Sequence, residues 1–219
     1  MLINILILAL ITLINGYFAN GIDINEWQGP DIDFKKVKEA GIDFVIIRAG
    51  IGDRLDTYWE LNYKKAKEAR LNVGAYWYSK AFTEKDSQKE AEYIYNAVEG
   101  KQLEYPIYYV IDQREIIEKG KSFCTAIGKT ISSYLEQRKK FVGIYSSKEY
   151  LESYFTYEII HSKTIWVAQY NSSCTYKDDY GMWQFSKEGN IVGVPGNVNL
   201  DISYQDFPTI IKSGGRNGF

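Results

Sequence analysis

Asn72-Val73-Gly74-Ala75-Tyr76-Trp77-Tyr78-Ser79, a polar stretch threaded with apolar residues from Glu84 to Val98, and then Pro106-Ile107-Tyr108-Tyr109-Val110-Ile111-Asp112 form the run that decides the fold. The outer segments are short, aromatic and β-branched, and turn residues bound them, which predicts strands. The middle segment repeats apolar residues at three-to-four spacing, which predicts an amphipathic helix. A strand, a helix and a second strand make a unit whose strands lie parallel, joined by a right-handed crossover.

The same alternation extends both ways. Strands are expected at Gly21–Asn25, Asp43–Ala49, Phe141–Ser146, Thr164–Tyr170, Met182–Ser186 and Asn197–Ile202, and helices at Phe34–Ala40, Tyr58–Arg70, Ser122–Arg138 and Lys148–Tyr154. The last three strands have no helices between them. The expectation is an α/β fold, a single irregular β/α barrel of about eight strands: five βα units, then three closing strands. An open doubly wound sheet is the alternative, but no glycine-rich phosphate loop follows any strand. In a barrel, function gathers at the carboxyl ends of the strands.

Composition narrows the function. The chain has 219 residues, 26 Lys+Arg against 28 Asp+Glu, and no basic run long enough to track phosphates, so no nucleic-acid partner is expected. One histidine, His161, speaks against a zinc centre or a histidine-activated nucleophile, and neither metal nor cofactor is expected. The 19 Tyr and 5 Trp supply flat apolar faces with polar tips, the surface on which sugar rings stack, although packing is the commoner role for any one of them.

Leu2 to Ile14 is almost wholly apolar, broken only by Asn4 and Thr12. This predicts a signal peptide over 1–19, secretion or delivery to a vesicular lumen, and one domain over 20–219 that is monomeric and free of the membrane once the leader is removed. An uncleaved anchor is the other reading of that segment. Cys124 and Cys174 are compatible with one disulfide, and Asn171-Ser172-Ser173 is a glycosylation acceptor pattern.

Strand side chains alternate between faces. Asp23 shares a face with Gly21 and Asn25. Tyr108, Val110 and Asp112 share one in the fourth strand, and Asn197, Asn199 and Asp201 share one in the last. Three strands thus send polar or acidic groups to one end of the barrel.

The blocks Gly21-Ile22-Asp23-Ile24-Asn25-Glu26-Trp27-Gln28-Gly29, Phe44-Val45-Ile46-Ile47-Arg48-Ala49, Val73-Gly74-Ala75-Tyr76-Trp77-Tyr78-Ser79, Tyr105-Pro106-Ile107-Tyr108-Tyr109, Val142-Gly143-Ile144-Tyr145, Trp166-Val167-Ala168-Gln169-Tyr170 and Met182-Trp183-Gln184-Phe185 fall in one order. Together they resemble glycoside hydrolase family 25, the Chalaropsis-type lysozymes or muramidases. That resemblance implies an irregular β/α barrel that cleaves the MurNAc-β-1,4-GlcNAc bond of peptidoglycan. It also implies a set of carboxylates: an Asp ending the first strand, Asp-x-Glu ending the fourth and an Asp in the last.

Here those four positions fall at Asp23, Val110, Asp112 and Asn199, so the set is not intact. Only the first keeps its residue. In the family the Glu is taken as the acid and the neighbouring Asp as the group that assists attack. Asp112 can carry a proton, but its carboxyl sits one methylene, roughly 1.5 Å, further back, and a misplacement of about 1 Å can cost on the order of a hundredfold. Val110 can neither ionise nor hydrogen-bond. A bulge after Tyr109 would move Asp112 into the Asp position, but would then leave Arg114 where an acid is needed.

The expectation is therefore a secreted lysozyme-like protein that keeps a glycan-binding groove and has lost or severely reduced hydrolysis. Its partner would be peptidoglycan glycan strands or a related GlcNAc-containing polysaccharide. Expected substrate contacts are Asp23, Tyr78, Tyr108, Asp112, Tyr145, Trp166, Tyr170 and Trp183. The alternative is an active muramidase that uses Asp112 as acid with substrate assistance. A structural role without sugar contact has no positive sign in the sequence.

Overall fold

The computed structural model describes residues 16–219. Nine strands are present: β1 Ala19–Ile24, β2 Phe44–Ile51, β3 Arg54–Leu55, β4 Asn72–Tyr78, β5 Ile107–Val110, β6 Val142–Ser147, β7 Thr164–Ala168, β8 Met182–Gly189 and β9 Val198–Ser203. The helices are α1 Phe34–Glu39, α2 Trp59–Glu68, α3 Glu84–Val98, α4 Arg114–Ile117, α5 Lys121–Glu136, α6 Lys148–Tyr154, α7 Tyr157–Ser162 and α8 Phe207–Ser213.

Eight of the strands close on themselves in the order β1-β9-β8-β7-β6-β5-β4-β2 with β1 pairing back to β2, and β3 is a short hairpin partner at the end of β2. Within the eight-stranded ring all neighbours are parallel except at β9, which runs antiparallel to both β8 and β1; β3 also pairs antiparallel with β2. Helical crossovers join the strands from β1 to β7, residues 169–181 pass from β7 to β8 without a helix, and β9 returns down the barrel. This is the irregular barrel expected, with five βα units and three closing strands. The additions are the β3 hairpin and the short helices α4, α7 and α8.

Local chemistry sets the boundaries. Thr83 and Asp86 form a reciprocal capping box at the start of α3, and Asp33 and Asp206 cap α1 and α8 by accepting backbone N–H groups. Strand alternation sorts the core into two layers. Ile22, Ile24, Val45, Ile47, Tyr109 and Val198 face outward, buried beneath the helices. Phe44, Ile46, Tyr108, Val110, Trp166 and Met182 fill the interior. Each aliphatic side chain so buried contributes roughly 1.5–3 kcal/mol.

Glycine makes room for the interior rings. A Cβ at Gly21 would strike the Phe44 ring, and one at Gly143 would strike Tyr108. The lower barrel is closed by stacked aromatics: Phe44 on Tyr105 at 4.1 Å between ring centres, and Phe207 against Tyr105 and Phe141. Beneath them Asn217 donates its side-chain amide to the carbonyls of Leu103 and Tyr105 and accepts from the N–H of Phe141. The polar residues are left for the other end.

Of the leader expected over 1–19, residues 1–15 lie outside the described residues, and Ala19 is the first residue of β1, paired with Ser203. Among the described residues no helix is long and apolar enough to cross a membrane. The disulfide that the two cysteines would allow is not formed. Cys124 is buried on α5 with its thiol near the carbonyl of Ile116, Cys174 lies in the β7–β8 connection, and both are free.

Candidate functional site

At the carboxyl ends of the parallel strands lies a cavity of about 200 Å³, lined by Asp23, Asn25, Arg48, Tyr76, Tyr78, Val110, Asp112, Tyr145, Trp166, Gln184 and Asn199. Each contributing strand sends an inward residue to this level, and β4 sends two, Tyr76 and Tyr78. Val110 stands opposite Tyr78 on β4 and Tyr145 on β6, and Asp23 stands opposite Asn199 on β9.

One wall is a dense polar network. Gln184 Nε2 donates to Asp23 Oδ2 at 2.5 Å, and Asn199 Nδ2 donates to Oδ1 at 3.1 Å. The Gln184 carbonyl in turn accepts the hydroxyls of Tyr145 and Tyr170, both at 2.9 Å. One layer deeper on β9 is Asp201, whose Oδ1 accepts from Trp166 Nε1 at 2.8 Å. Its other oxygen faces Asp23, so two buried carboxyls meet with no cation between them.

Burial raises the Asp23 carboxyl to about 6, against the opposing pull of the Asn199 and Gln184 amides. Burial, and then the negative charge of Asp23, pushes Asp201 well above the carboxylate range. Of the two, Asp201 has the more strongly raised proton affinity.

The opposite wall is sparse. Val110 is 3% exposed and offers only methyl groups. Asp112 lies just past the end of β5, where its Oδ1 accepts from the Ser147 N–H at 2.8 Å and the Ser146 hydroxyl at 3.0 Å. Burial raises its proton affinity against those bonds. The pairing of β5 with β6 runs without a bulge, Tyr109 to Ile144 and Val110 to Tyr145, so the register in which Asp112 would replace Val110 is not adopted. Arg114 and Glu115 belong to α4 on the surface, where Arg114 pairs with Glu118.

Of the eight expected contacts, Asp23, Tyr78, Asp112, Tyr145 and Trp166 line the cavity, and Tyr170 reaches its edge through Gln184. Tyr108 does not. It points inward, but one layer below the mouth, fully buried beneath Trp166 at 5.1 Å between ring centres. Trp183 does not either. It alternates outward beside Gln184, packs in the outer layer and donates its indole N–H to the carbonyl of Gln169. His161 sits on the surface helix α7, stacked on Tyr157.

Gln184, Arg48, Tyr76 and Asn25 are lining residues that the sequence reading missed. Arg48 is held by Asp56 at 2.7 Å and Glu26 at 2.8 Å. The signal available was strand parity, because Gln184 is the inward neighbour of Trp183 and Arg48 continues the inward series Phe44, Ile46. Among the described residues there is no cluster of His, Cys, Asp and Glu suited to a metal ion.

Comparison with known proteins agrees with this architecture. The model of glycosyl hydrolases family 25 matches residues 22–194. The autolytic lysozyme of Clostridium acetobutylicum is 28% identical over 183 residues, which is 83% of this chain and 54% of that protein. Among solved structures, the modular autolysin LytC from Streptococcus pneumoniae superposes with a TM-score of 0.79 at 25% identity, covering 86% of this chain and 47% of LytC. The bacterial lysozyme from Streptomyces coelicolor shares the fold, with a TM-score of 0.76 at 21% identity over 90% of this chain and 98% of that one. The chain spans about half the length of the autolysins it matches. Barrel topology, the position of the polar mouth and the match over residues 22–194 agree that this chain belongs to glycosyl hydrolases family 25.

Proposed function

We propose that this chain is a secreted, monomeric, lysozyme-like protein. It holds peptidoglycan glycan strands, or a related GlcNAc-containing polysaccharide, at the barrel mouth and hydrolyses the MurNAc-β-1,4-GlcNAc bond feebly or not at all. The observation that carries the reading is Val110: a buried valine stands at the inner face of β5, at the position that matches the family's aspartate. Glycoside hydrolysis needs one carboxyl to protonate the leaving oxygen and a second group to meet the developing positive charge. A valine does neither, and Asn199, engaged in donating to Asp23, brings no charge. Losing one positioned acid or base costs about 10²- to 10⁴-fold. Retention of binding is supported by the aromatic and amide lining, and by the relative LytC, whose structure is known in complex with a synthetic peptidoglycan ligand.

A second reading, residual muramidase activity with Asp112 as acid and the substrate's acetamido group as nucleophile, is favoured by one observation. The Asp112 carboxyl lines the cavity with its proton affinity raised by burial, as a general acid requires.

The test compares the purified protein with a Val110→Asp, Asp112→Glu, Asn199→Asp variant on bacterial cell walls. Pelleting of the unmodified protein with insoluble peptidoglycan, without release of soluble fragments, is expected, with lysis by the variant. Clear lysis by the unmodified protein would establish the second reading instead.

A further inference from the structure

The cavity at the mouth, about 200 Å³, lies below the roughly 300–1,000 Å³ of sites that enclose a whole drug-sized ligand. A polymer seated there leaves most of its length on the rim. Resting on the proposed glycan binding, we infer that Trp27 is an outer platform on which a sugar residue beyond the cavity stacks.

Trp27 is carried by the 3-10 turn Glu26–Gln28 that follows β1. Every other side chain of that turn and its cap is engaged. Asn25 accepts from the Trp27 N–H, and the Gln28 side chain accepts from the Asn25 N–H. Glu26 is gripped by Arg48, Arg54 and Thr57, which hold its carboxyl down to about 2.

The turn is also tied to the cavity from three sides. Asn25 itself lines it. The Glu26 N–H donates to Asp56, the partner of the lining residue Arg48. Gln28 Nε2 donates to the carbonyl of Asn197, two residues before the lining residue Asn199. Against this rigid base the indole is 83% exposed, the highest value among the large apolar side chains described. Its placement is set by at least six polar contacts, and its apolar surface is left to water. Sugar faces present C–H groups that stack on such a ring at little entropic cost, because the ring's base is already ordered. Tyr170, 51% exposed in the β7–β8 connection, offers a second ring on the same rim.

The fluorescence of the protein makes the inference directly testable. The other four tryptophans, Trp59, Trp77, Trp166 and Trp183, are each 6% exposed or less, so water-exposed emission reports Trp27. Peptidoglycan-derived glycan strands of one disaccharide and of three or more repeats are titrated into the unmodified protein and into Trp27→Ala and Trp27→Phe, with affinities read by calorimetry and emission followed in the unmodified protein. Long strands are expected to shift and quench the exposed emission, and a single disaccharide is not. Trp27→Ala should weaken long-strand binding roughly three- to tenfold, the scale of one aromatic stacking contact. It should leave the disaccharide unaffected, and Trp27→Phe should recover most of the loss. Equal affinity of all three proteins for long strands, or an equal loss at both lengths, would overturn the platform while leaving the glycan-binding reading in place. Failure of the unmodified protein to bind any length would overturn both.

Discussion

The two walls of the barrel mouth are built differently. On the β1, β8 and β9 side, Asp23, Gln184, Asn199 and Asp201 form a connected network, with amides donating to one carboxyl and a second carboxyl beneath. On the β5 and β6 side stand a valine and one aspartate tied back to Ser146 and Ser147. The hydrogen bonds that shape the cavity are thus carried mainly by β1, β8 and β9, while two of the four positions that match the family's carboxylates, Val110 and Asp112, lie on the other side. Val110 fills its place with apolar volume in the interior cluster that holds Tyr108 and Trp166, so its substitution does not disturb the network on the other wall.

The largest change should come from restoring the carboxylates, two on the sparse wall and one, at Asn199, on the dense wall. The Val110→Asp, Asp112→Glu, Asn199→Asp variant is expected to gain on the order of 10²- to 10⁴-fold in turbidity-clearing rate on cell walls. An unchanged rate would mean that the cavity is no longer shaped for the reaction.

Next is damage to the dense wall. Gln184→Leu removes a donor to Asp23 and the acceptor of two tyrosine hydroxyls. Leaving such buried groups unpaired costs about 1–3 kcal/mol each, and a total loss of about 2–4 kcal/mol is expected in urea unfolding, together with loss of peptidoglycan pelleting. A loss below about 1 kcal/mol would show that water repairs the network.

A smaller and opposite effect is expected from Asp201→Asn. The native state raises the proton affinity of this carboxyl, through burial and the charge of Asp23. The associated stability is therefore present below the unfolded carboxyl range and lost as pH rises above it. Asparagine can accept from Trp166 and donate to Asp23 without carrying a proton, so the variant should melt higher than the parent at pH 7 and about equally at pH 4. Coincident melting curves at both pH values would show that the fold does not raise the proton affinity of Asp201.

The smallest effect probes the same rule away from the mouth. Glu90 on α3 accepts from the Tyr109 hydroxyl at 2.5 Å and the Lys80 N–H at 2.7 Å, and burial raises its carboxyl to about 7. Stability from this group is full below about pH 4.5, the ordinary glutamate value, and is lost as pH rises through about 7. Glu90→Gln should flatten that part of the melting profile by a few degrees, without altering glycan binding.

The walls also separate what was readable in the sequence from what was not. Strand parity placed Asp23, Val110, Asp112 and Asn199 on inward faces, because in a strand two faces are all there are. Parity carries no depth, and so Tyr108, one layer below the mouth, was grouped with the binding aromatics. For Trp183 parity alone separates its outward ring from its inward neighbour Gln184. The Gln184–Asp23 bond joins residues 161 positions apart, and the contact between Asp23 and Asp201 depends on β9 running antiparallel beside β1. No local pattern encodes either. Helices such as Arg114–Ile117, at four residues, are shorter than the window in which a helical period can be counted.

Asn217, the plug beneath the aromatic floor, has a consequence for how the molecule is made. Its partners Leu103, Tyr105 and Phe141 are synthesised some seventy-five or more positions earlier, and β1, translated early, finds one of its two neighbours only when β9 arrives. A nascent chain paused anywhere before residue 198 is an open sheet with two unsatisfied edges. Closure of the ring waits on β9, so chains truncated before residue 198 should be treated by chaperones and proteases as unfinished, even though every residue lining the mouth up to Gln184 is already present.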